Sequence, residues 1–99
     1  MLTAKTIRQQ IILLLSDTEL TATELSQSLG IKEKEVYDHL GHVDRTAIAQ
    51  SRKLRIRPSE CLKCGFVFRK RKRFTPPGHC PQCKGTHLSK PAFKIDRSR

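Results

Sequence analysis

The sequence of 99 residues lacks any long apolar run, and this absence excludes a membrane-spanning helix. No segment approaches the roughly eighteen consecutive apolar residues that mark such a helix. The N-terminus also lacks the charged start, the apolar run and the small-residue cleavage site of a secretory signal. We therefore expect a cytoplasmic protein that has no membrane partner.

The sequence also lacks the patterns that indicate an active site. No nucleophile stands with a base and an orienting acid at a recognisable spacing, and no glycine-rich loop could cradle a phosphate. His39 and His42 do not supply a substitute, because no cysteine or carboxylate pattern completes a metal site beside them. We therefore expect that the protein is not an enzyme.

The cysteines are the most informative residues present, and they have the spacing C-x2-C-x15-C-x2-C. Two such turns can close around one tetrahedral ion, and Gly65, Pro81 and Gly85 suit tight turns. Disulfides are the alternative, but two adjacent C-x2-C pairs are a poor framework for long-range cross-links. Because four thiolates fill a closed site, His79 and His87 are expected at the surface. The predicted ligands of a structural zinc ion (Zn2+) are Cys61, Cys64, Cys80 and Cys83.

Iron is the alternative metal, because four thiolates bind it in the same geometry and the ligand set alone does not separate the two. An iron centre would indicate an electron-transfer protein. The C-terminal half has the fewest aliphatic residues, and so short a chain cannot bury a large core. We therefore expect the stability of that half to depend on its metal.

Positive charge is concentrated in the second half of the chain, whose formal net charge overall is +11. Residues 1–50 contain five Lys or Arg and seven Asp or Glu, whereas residues 51–99 contain fifteen and two. Charge of one sign concentrated in this way marks a nucleic-acid-binding surface more often than mere solubility. The densest run lies between the cysteine pairs, and we predict that it contacts phosphates. Its members are Arg69, Lys70, Arg71, Lys72 and Arg73.

The first fifty residues predict three helices. Helical spacing of apolar residues indicates a first helix from about residue 4 to residue 16, with Thr3 as its N-cap. Thr21 and Glu24 match a capping box at the start of a second helix, which Gly30 can end, and a third helix follows a tight turn. The apolar stripes of the first and third helices are Ile7, Ile11, Leu14 and Leu15, and Val36, Leu40, Val43 and Ala47.

Beyond residue 50, alternating side chains predict short strands. Aliphatic residues alternate with cations in residues 53–57, and apolar residues alternate with polar ones in residues 93–96. These two segments could pair and enclose the metal module between them. Phe66 and Phe68 suggest another strand, and Phe74 is expected to pack beside the ribbon.

The segment from Thr21 to Leu40 resembles the helix-turn-helix of winged-helix transcription regulators. Its matching residues are Glu24-Leu25-Ser26, Leu29-Gly30-Ile31, Val36 and His39-Leu40. In that family the start of the second helix contacts base edges in the major groove. The resemblance implies that the readers here are Lys32, Lys34 and Tyr37, with Asp38 as a further candidate. The acidic residues of this helix oppose phosphate binding; they are Glu33, Glu35, Asp38 and Asp44.

Nearly the whole chain resembles a small prokaryotic, largely archaeal, family of predicted transcription regulators in which a winged helix-turn-helix carries a rubredoxin-like zinc ribbon in its wing. Besides the helix-turn-helix, the likeness rests on Ile56-Arg57-Pro58, Cys61-Leu-Lys-Cys-Gly-Phe-Val-Phe, Cys80-Pro-Gln-Cys and Pro91-Ala-Phe-Lys-Ile. The resemblance implies an α+β fold, a three-helix winged helix-turn-helix with a four-cysteine zinc ribbon inserted between the two wing strands. The implied divisions are 1–58 for the helices and first wing strand, 59–90 for the ribbon, and 91–99 for the closing strand and basic tail.

These patterns favour a DNA-binding transcription regulator whose partner is double-stranded DNA, and they leave a homodimer open. The alternative is an RNA-binding or protein-bridging zinc-ribbon module without sequence-specific DNA recognition. In that case the acidic helical half and the basic ribbon half would serve different partners.

Overall fold

The computed structural model describes residues 6–70 and 73–96. Its helices and strands follow the chain as α1 (Ile7–Asp17), β1 (Leu20–Thr21), α2 (Ala22–Leu29), α3 (Glu33–Ala49), β2 (Lys53–Arg57) and β3 (Ala92–Asp96). The strands form one antiparallel sheet in the order β1, β3, β2. The predicted α+β class, with three helices and a small sheet, is confirmed.

Capping boxes start α1 and α2. At α1, the N–H of Gln9 donates to Thr6 Oγ1 (3.1 Å), and the N–H of Thr6 donates to Gln9 Oε1 (2.9 Å). The predicted cap Thr3 lies outside the described residues. The predicted start near residue 4 was wrong, because the extended residue Thr6 is the cap. The Thr21–Glu24 box is confirmed by the same pair of hydrogen bonds, at 3.2 and 2.8 Å.

Gly30 ends α2 as predicted. Its backbone is left-handed (φ 69°, ψ 31°), and its N–H donates to the carbonyl of Ser26. A residue without a Cβ adopts this conformation at little cost, so the chain can turn sharply here. Because α3 begins at Glu33, only three residues separate the two helices.

The core lies between the helices and one face of the sheet. Phe74, from the long segment between β2 and β3, packs against it with its ring centroid 6.0 Å from that of Phe93. Phe74 therefore has a packing role as predicted, but it packs against the core rather than beside the ribbon. In the predicted stripe of α1, Ile7 and Leu14 are only partly buried, whereas the whole stripe of α3 is buried. The buried core cluster comprises Ile11, Leu15, Ala22, Leu25, Val36, Leu40, Val43, Leu54, Phe93 and Ile95.

The predicted pairing of residues 53–57 with the last strand is confirmed. Leu54 lies opposite Ile95, and Ile56 lies opposite Phe93. The cations of β2 alternate with these aliphatic residues and are exposed, so they lie on the other face of the sheet. The register also pairs Arg57 with Ala92, so the segment 58–91 leaves and re-enters the sheet at one end.

The predicted strand at Phe66 and Phe68 was wrong. Only an isolated bridge between Glu60 and Val67 forms there, while the two phenyl rings contact each other edge to face with centroids 5.0 Å apart. The knuckle that follows Cys61 turns the chain too tightly for a longer ladder. The sequence also gave no sign of β1, because two residues are too few to show a periodicity.

Candidate metal centre and its basic surroundings

The four predicted metal ligands meet in one cluster. Their sulfur atoms all lie within 4.8 Å of one another, with 3.5 Å between the sulfurs of Cys61 and Cys83 and 3.6 Å between those of Cys64 and Cys80. A tetrahedral zinc ion with Zn–S bonds of about 2.3 Å requires sulfurs about 3.8 Å apart. The spacing therefore fits one tetrahedral ion held by all four thiolates.

The two C-x2-C turns have the same backbone hydrogen bonds. In the first, the N–H of Gly65 donates to the carbonyl of Cys61 (2.9 Å), and the N–H of Cys61 donates to the carbonyl of Phe66 (2.7 Å). In the second, Lys84 and Cys80 make the equivalent bonds, with Gly85 in the place of Phe66. Equivalent knuckles present their cysteines to the ion as two matching pairs.

The glycines of the knuckles serve two different purposes. Gly65 has φ 82°, as the sequence led us to expect, but the equivalent residue of the second knuckle is Lys84, with φ 65°. The second knuckle therefore takes its left-handed residue from a lysine rather than from Gly85. A Cβ on Gly85 would lie 3.3 Å from Cys83 Sγ, so this glycine leaves room for a ligand atom instead.

Hydrogen bonds from backbone amides favour the thiolate form that a metal needs at Cys61 and Cys80, whereas burial opposes it. Cys61 and Cys80 are 1% and 0% exposed, whereas Cys64 and Cys83 lie closer to solvent. The backbone N–H of Cys64 donates to Cys61 Sγ (3.4 Å), and this bond lowers the pKa of the Cys61 thiol to about 6. Amide N–H groups donate in the same way to Cys80 Sγ, from Gln82 at 3.4 Å and from Cys83 at 3.5 Å. The donor set suits either zinc or iron.

The segment after the second knuckle supports the first one. Ser89 and Glu60 exchange two hydrogen bonds, and the N–H of Leu62 donates to the carbonyl of His87 (2.8 Å). Cys61 thereby forms a bridge with Leu88. The first knuckle is held between the chain that enters the ribbon and the chain that leaves it.

A polar cluster joins the ribbon to the helices. Glu33, at the start of α3, accepts hydrogen bonds from Thr23 Oγ1 (2.7 Å) and Tyr37 Oη (3.0 Å). Lys90, next to β3, lies 3.7 Å from the same carboxylate and 2.5 Å from Thr23 Oγ1. The Thr23 hydroxyl, with Tyr37 and Lys90, lowers the pKa of Glu33. Burial, together with Glu33, raises the pKa of Tyr37 to about 12.

The predicted base readers do not share one environment. Lys32 and Lys34 are exposed at the start of α3, whereas Tyr37 is partly buried and its hydroxyl is committed to Glu33. The carboxylate of Glu35 accepts the N–H of Lys32 (2.9 Å). The first turn of α3 therefore presents its lysines to solvent while its two carboxylates accept hydrogen bonds from within the protein.

The basic run between the knuckles is exposed wherever the structure describes it. Arg69, Lys70 and Arg73 are solvent-exposed, and no described carboxylate lies within ion-pair distance of them. Arg71 and Lys72, which the sequence also predicts to contact phosphates, lie outside the described residues. The cations of β2 differ, because Arg55 pairs with Asp96, and Arg57 pairs with Glu19 at 3.1 Å.

A second group of basic residues joins α1 to α3 and was not predicted. Arg8 Nε donates to His39 Nδ1 (3.3 Å), although 31 residues separate them in the chain. The positive charge of Arg8, with that of Arg45, lowers the pKa of His42. The three-residue spacing of His39 and His42 was the only trace of this cluster in the sequence.

The histidines near the cysteines lie at the surface, and the described residues offer no second metal site. His79 and His87 are exposed as predicted. Across residues 6–70 and 73–96, the four cysteines form the one group of His, Cys, Asp or Glu side chains that could hold a metal. Within the same residues, no helix combines the length and the apolar character needed to cross a membrane.

Comparisons with known proteins match both parts of the chain. A family described as PF0610-like, N-terminal, matches residues 6–55, and a PF0610 rubredoxin-like zinc beta-ribbon domain matches residues 58–98. The solution NMR structure of protein PF0610 from Pyrococcus furiosus is similar at 30% identity and a TM-score of 0.79. That match covers 99% of this chain and 95% of the other. A comparison with curated proteins found no match. The implied divisions at residues 58/59 and 90/91 stay predictions.

Proposed function

This chain belongs to the family of PF0610-like proteins with a rubredoxin-like zinc β-ribbon, and we propose that it is a transcription regulator that binds double-stranded DNA. In this proposal a winged helix-turn-helix reads the duplex and the ribbon in its wing contacts phosphates. The observation that carries the proposal is the single-sign charge of the ribbon. Glu60 is the one acidic residue between residues 59 and 90. The described cations of the same segment number six, namely Lys63, Arg69, Lys70, Arg73, Lys84 and Lys90.

The geometry of α2 and α3 supports a helix-turn-helix. A left-handed Gly30 ends α2, and α3 follows after a three-residue turn with its apolar face in the core. Such an arrangement leaves the first turn of the second helix free to enter a major groove. Lys32 and Lys34 stand at that turn and are exposed, so they are our candidates for base contacts.

The acidic character of α3 is a smaller obstacle than its composition suggests. Glu33 is engaged by Thr23, Tyr37 and Lys90, and Glu35 accepts the N–H of Lys32. A carboxylate with a cation beside it adds less repulsion toward a phosphate than a free one does. We propose that Tyr37 positions the Glu33 carboxylate and does not contact a base, because its hydroxyl donates a hydrogen bond to Glu33.

Arg69, Lys70 and Arg73 are the proposed phosphate contacts of the ribbon, and Arg71 and Lys72 extend the same run in the sequence. Lysine and arginine on phosphates position a protein on the duplex without reading its sequence. Each such contact releases counterions, so the affinity should fall steeply as salt rises. We therefore propose a division of labour, with specificity from α3 and affinity from the ribbon.

We assign the metal a structural role. Cys61, Cys64, Cys80 and Cys83 would hold zinc in a closed site with no open position for a substrate. Bound there, zinc supplies a cross-link between the knuckles and no reaction. The protein is in this proposal not an enzyme.

Selection of bound sequences from a random pool of duplexes tests the proposal. The zinc-loaded protein should enrich one motif, and Lys34→Gln should relax the preference at specific base pairs of that motif. Arg45→Gln is the matched control, because Arg45 is an exposed cation three turns further along α3. This control should leave the sequence preference unchanged, even if it lowers the affinity.

Three outcomes would contradict the proposal. If no motif is enriched at any salt concentration, the protein does not recognise a specific DNA sequence. A preference for RNA over duplex DNA would favour the RNA-binding alternative. Recovery of one stoichiometric protein partner that resists nuclease, without any nucleic acid binding, would favour a protein-bridging module.

A further inference from the structure

An apolar groove with a basic margin lies on the ribbon, away from the core. Its volume is about 420 Å³, within the range of pockets that bind small organic groups. The residues that line it, called the ribbon groove below, are Phe66, Val67, Phe68, Arg69, Lys70 and Pro81. We propose that the ribbon groove binds an unpaired nucleobase of a single-stranded nucleic acid, with the neighbouring phosphates on Arg69 and Lys70.

The aromatic residues of the groove suit a planar partner. The planes of the Phe66 and Phe68 rings lie at 89° to each other. In this edge-to-face contact, the edge of one ring covers at most one face of the other. Both side chains stay partly exposed at the surface of the ribbon. Bases stack on such exposed aromatic faces in proteins that bind single strands, and this stacking tolerates any base.

The charge of the groove selects an anionic partner. Arg69 and Lys70 are exposed at its margin, and none of its lining residues carries a negative charge. A second copy of this chain, with its own net charge of +11, would be repelled. A polyanion whose backbone follows the cations while its base enters the groove satisfies both the apolar and the charged surfaces.

The partner must be unpaired, because paired bases keep their faces stacked inside the duplex. Single strands, loops and ends expose those faces. This inference rests on the proposed function in requiring a nucleic acid and shares its phosphate contacts Arg69 and Lys70, but it adds an apolar site for a base and a different structural form of the ligand.

The test compares oligomers that have bases with oligomers that do not. We would measure binding of labelled oligodeoxythymidine, of oligoribothymidine, which differs from it only in the 2′-hydroxyl groups, and of an abasic oligomer of equal length. The protein should bind both base-bearing oligomers about tenfold more tightly than the abasic one, since one stacked base is worth roughly that factor. The tighter of the two identifies DNA or RNA as the natural source. Equal binding of base-bearing and abasic oligomers would overturn the inference.

Phe66→Leu is the informative variant, because it keeps an apolar side chain and removes the ring. Phe68 is less suitable, since it also lines a second cavity with Pro58 and Ser59 where the ribbon begins, and its N–H donates to the carbonyl of Ser59 (3.0 Å). The variant should lose about tenfold in affinity for oligodeoxythymidine and nothing for the abasic oligomer. Leu62→Ala is the matched control, because Leu62 is 60% exposed on the same ribbon and does not line the groove. It should bind every oligomer as the wild type does.

A measurement on the wild type guards against a variant that fails to fold. Oligodeoxythymidine should shift the NMR signals of the Phe66 and Phe68 ring protons upfield and leave those of Phe74 unchanged, since Phe74 packs against the core. The absence of any shift at Phe66 and Phe68 would overturn the inference.

The two proposals fail in different ways. Binding to duplex DNA together with equal binding of base-bearing and abasic oligomers would overturn the groove and leave the proposed function standing. Base-dependent binding of single strands without duplex binding would support the groove and contradict the proposed function.

Discussion

Removing the metal should unfold the ribbon and leave the helices folded. Among the described residues between 58 and 91, none belongs to the buried core cluster and only Phe74 packs against it. Of the described residues in that segment, Ser59, Cys61, Cys80 and Pro91 are buried, and no Ala, Val, Ile or Leu side chain is. Because so little apolar surface holds the ribbon together, its folding should depend on the metal.

Two free energies decide whether β3 stays on the sheet after the metal has left, the cost of closing the loop and the gain from burying the side chains of β3. Unfolding the ribbon turns the 34 residues from 58 to 91 into a flexible loop, whose closure costs about 3 kcal/mol. Burial of Phe93 and Ile95, both 0% exposed, stabilises the docked strand β3 by about 3 to 6 kcal/mol together. The hydrogen bonds of β3 to β1 and β2 add to that. We therefore expect β3 to stay on the sheet after the metal has left.

The measurement is an amide NMR spectrum of the zinc-loaded protein before and after chelation. Signals of residues 59–90 should collapse to random-coil positions, while those of α1, α2, α3 and β3 should stay dispersed. Cys61→Ser should give the chelated spectrum without chelator, and Leu62→Ala, at the neighbouring exposed residue, should give the wild-type one. Loss of the helical signals together with those of the ribbon would refute the independence of the core, and an unchanged spectrum would refute the metal site.

Four further changes have expected outcomes. Arg69→Gln with Arg73→Gln should weaken binding to all duplexes alike and reduce the slope of log affinity against log salt by about 1 for each cation removed; altered sequence preference with unchanged affinity would contradict this role. Glu33→Gln should flatten the fall in unfolding free energy with acid. The pKa of Glu33 is lowered by the Thr23 hydroxyl, so its contribution is present above the ordinary value of 4.5 and is lost as the pH falls through the lower folded value. An unchanged acid dependence would show that this cluster adds no stability. Gly30→Ala should destabilise the protein by about 1–2 kcal/mol because of its φ of 69°, whereas Gly41→Ala, inside α3 with open space for a Cβ, should stabilise it by about 0.5–1 kcal/mol. Urea unfolding midpoints measure both glycine changes, and the same sign for both would contradict the conformational argument.

The sequence predicted those elements whose signals are local and periodic. The Thr21 to Glu24 box and Gly30 each act within a few residues, so the bounds of α2 could be read directly. The α3 stripe is long enough to show its period, and the alternation in residues 53–57 fixed which face of β2 is buried. The cysteine spacing works in the same way, because each knuckle is a local turn.

The sequence did not predict the polar side-chain contacts that join distant residues. Arg8 meets His39, and Lys90 meets Glu33, only after the chain has folded, and neither pair has a local pattern. The first cap was misjudged because Thr3 and Thr6 are both suitable, and propensity alone does not choose between them. The sequence did not predict the ribbon groove for the same reason, because Phe66 and Pro81, which both line it, lie beside different knuckles.

The most direct test of the account is the salt dependence of binding to duplex DNA, measured by fluorescence anisotropy of the zinc-loaded protein. Single-stranded RNA serves as the comparison. The account predicts tighter binding to the duplex and a steep fall in affinity with rising salt, because the exposed cations of the ribbon displace counterions from phosphates. Binding that does not change with salt, or no binding to the duplex at physiological salt, would contradict it.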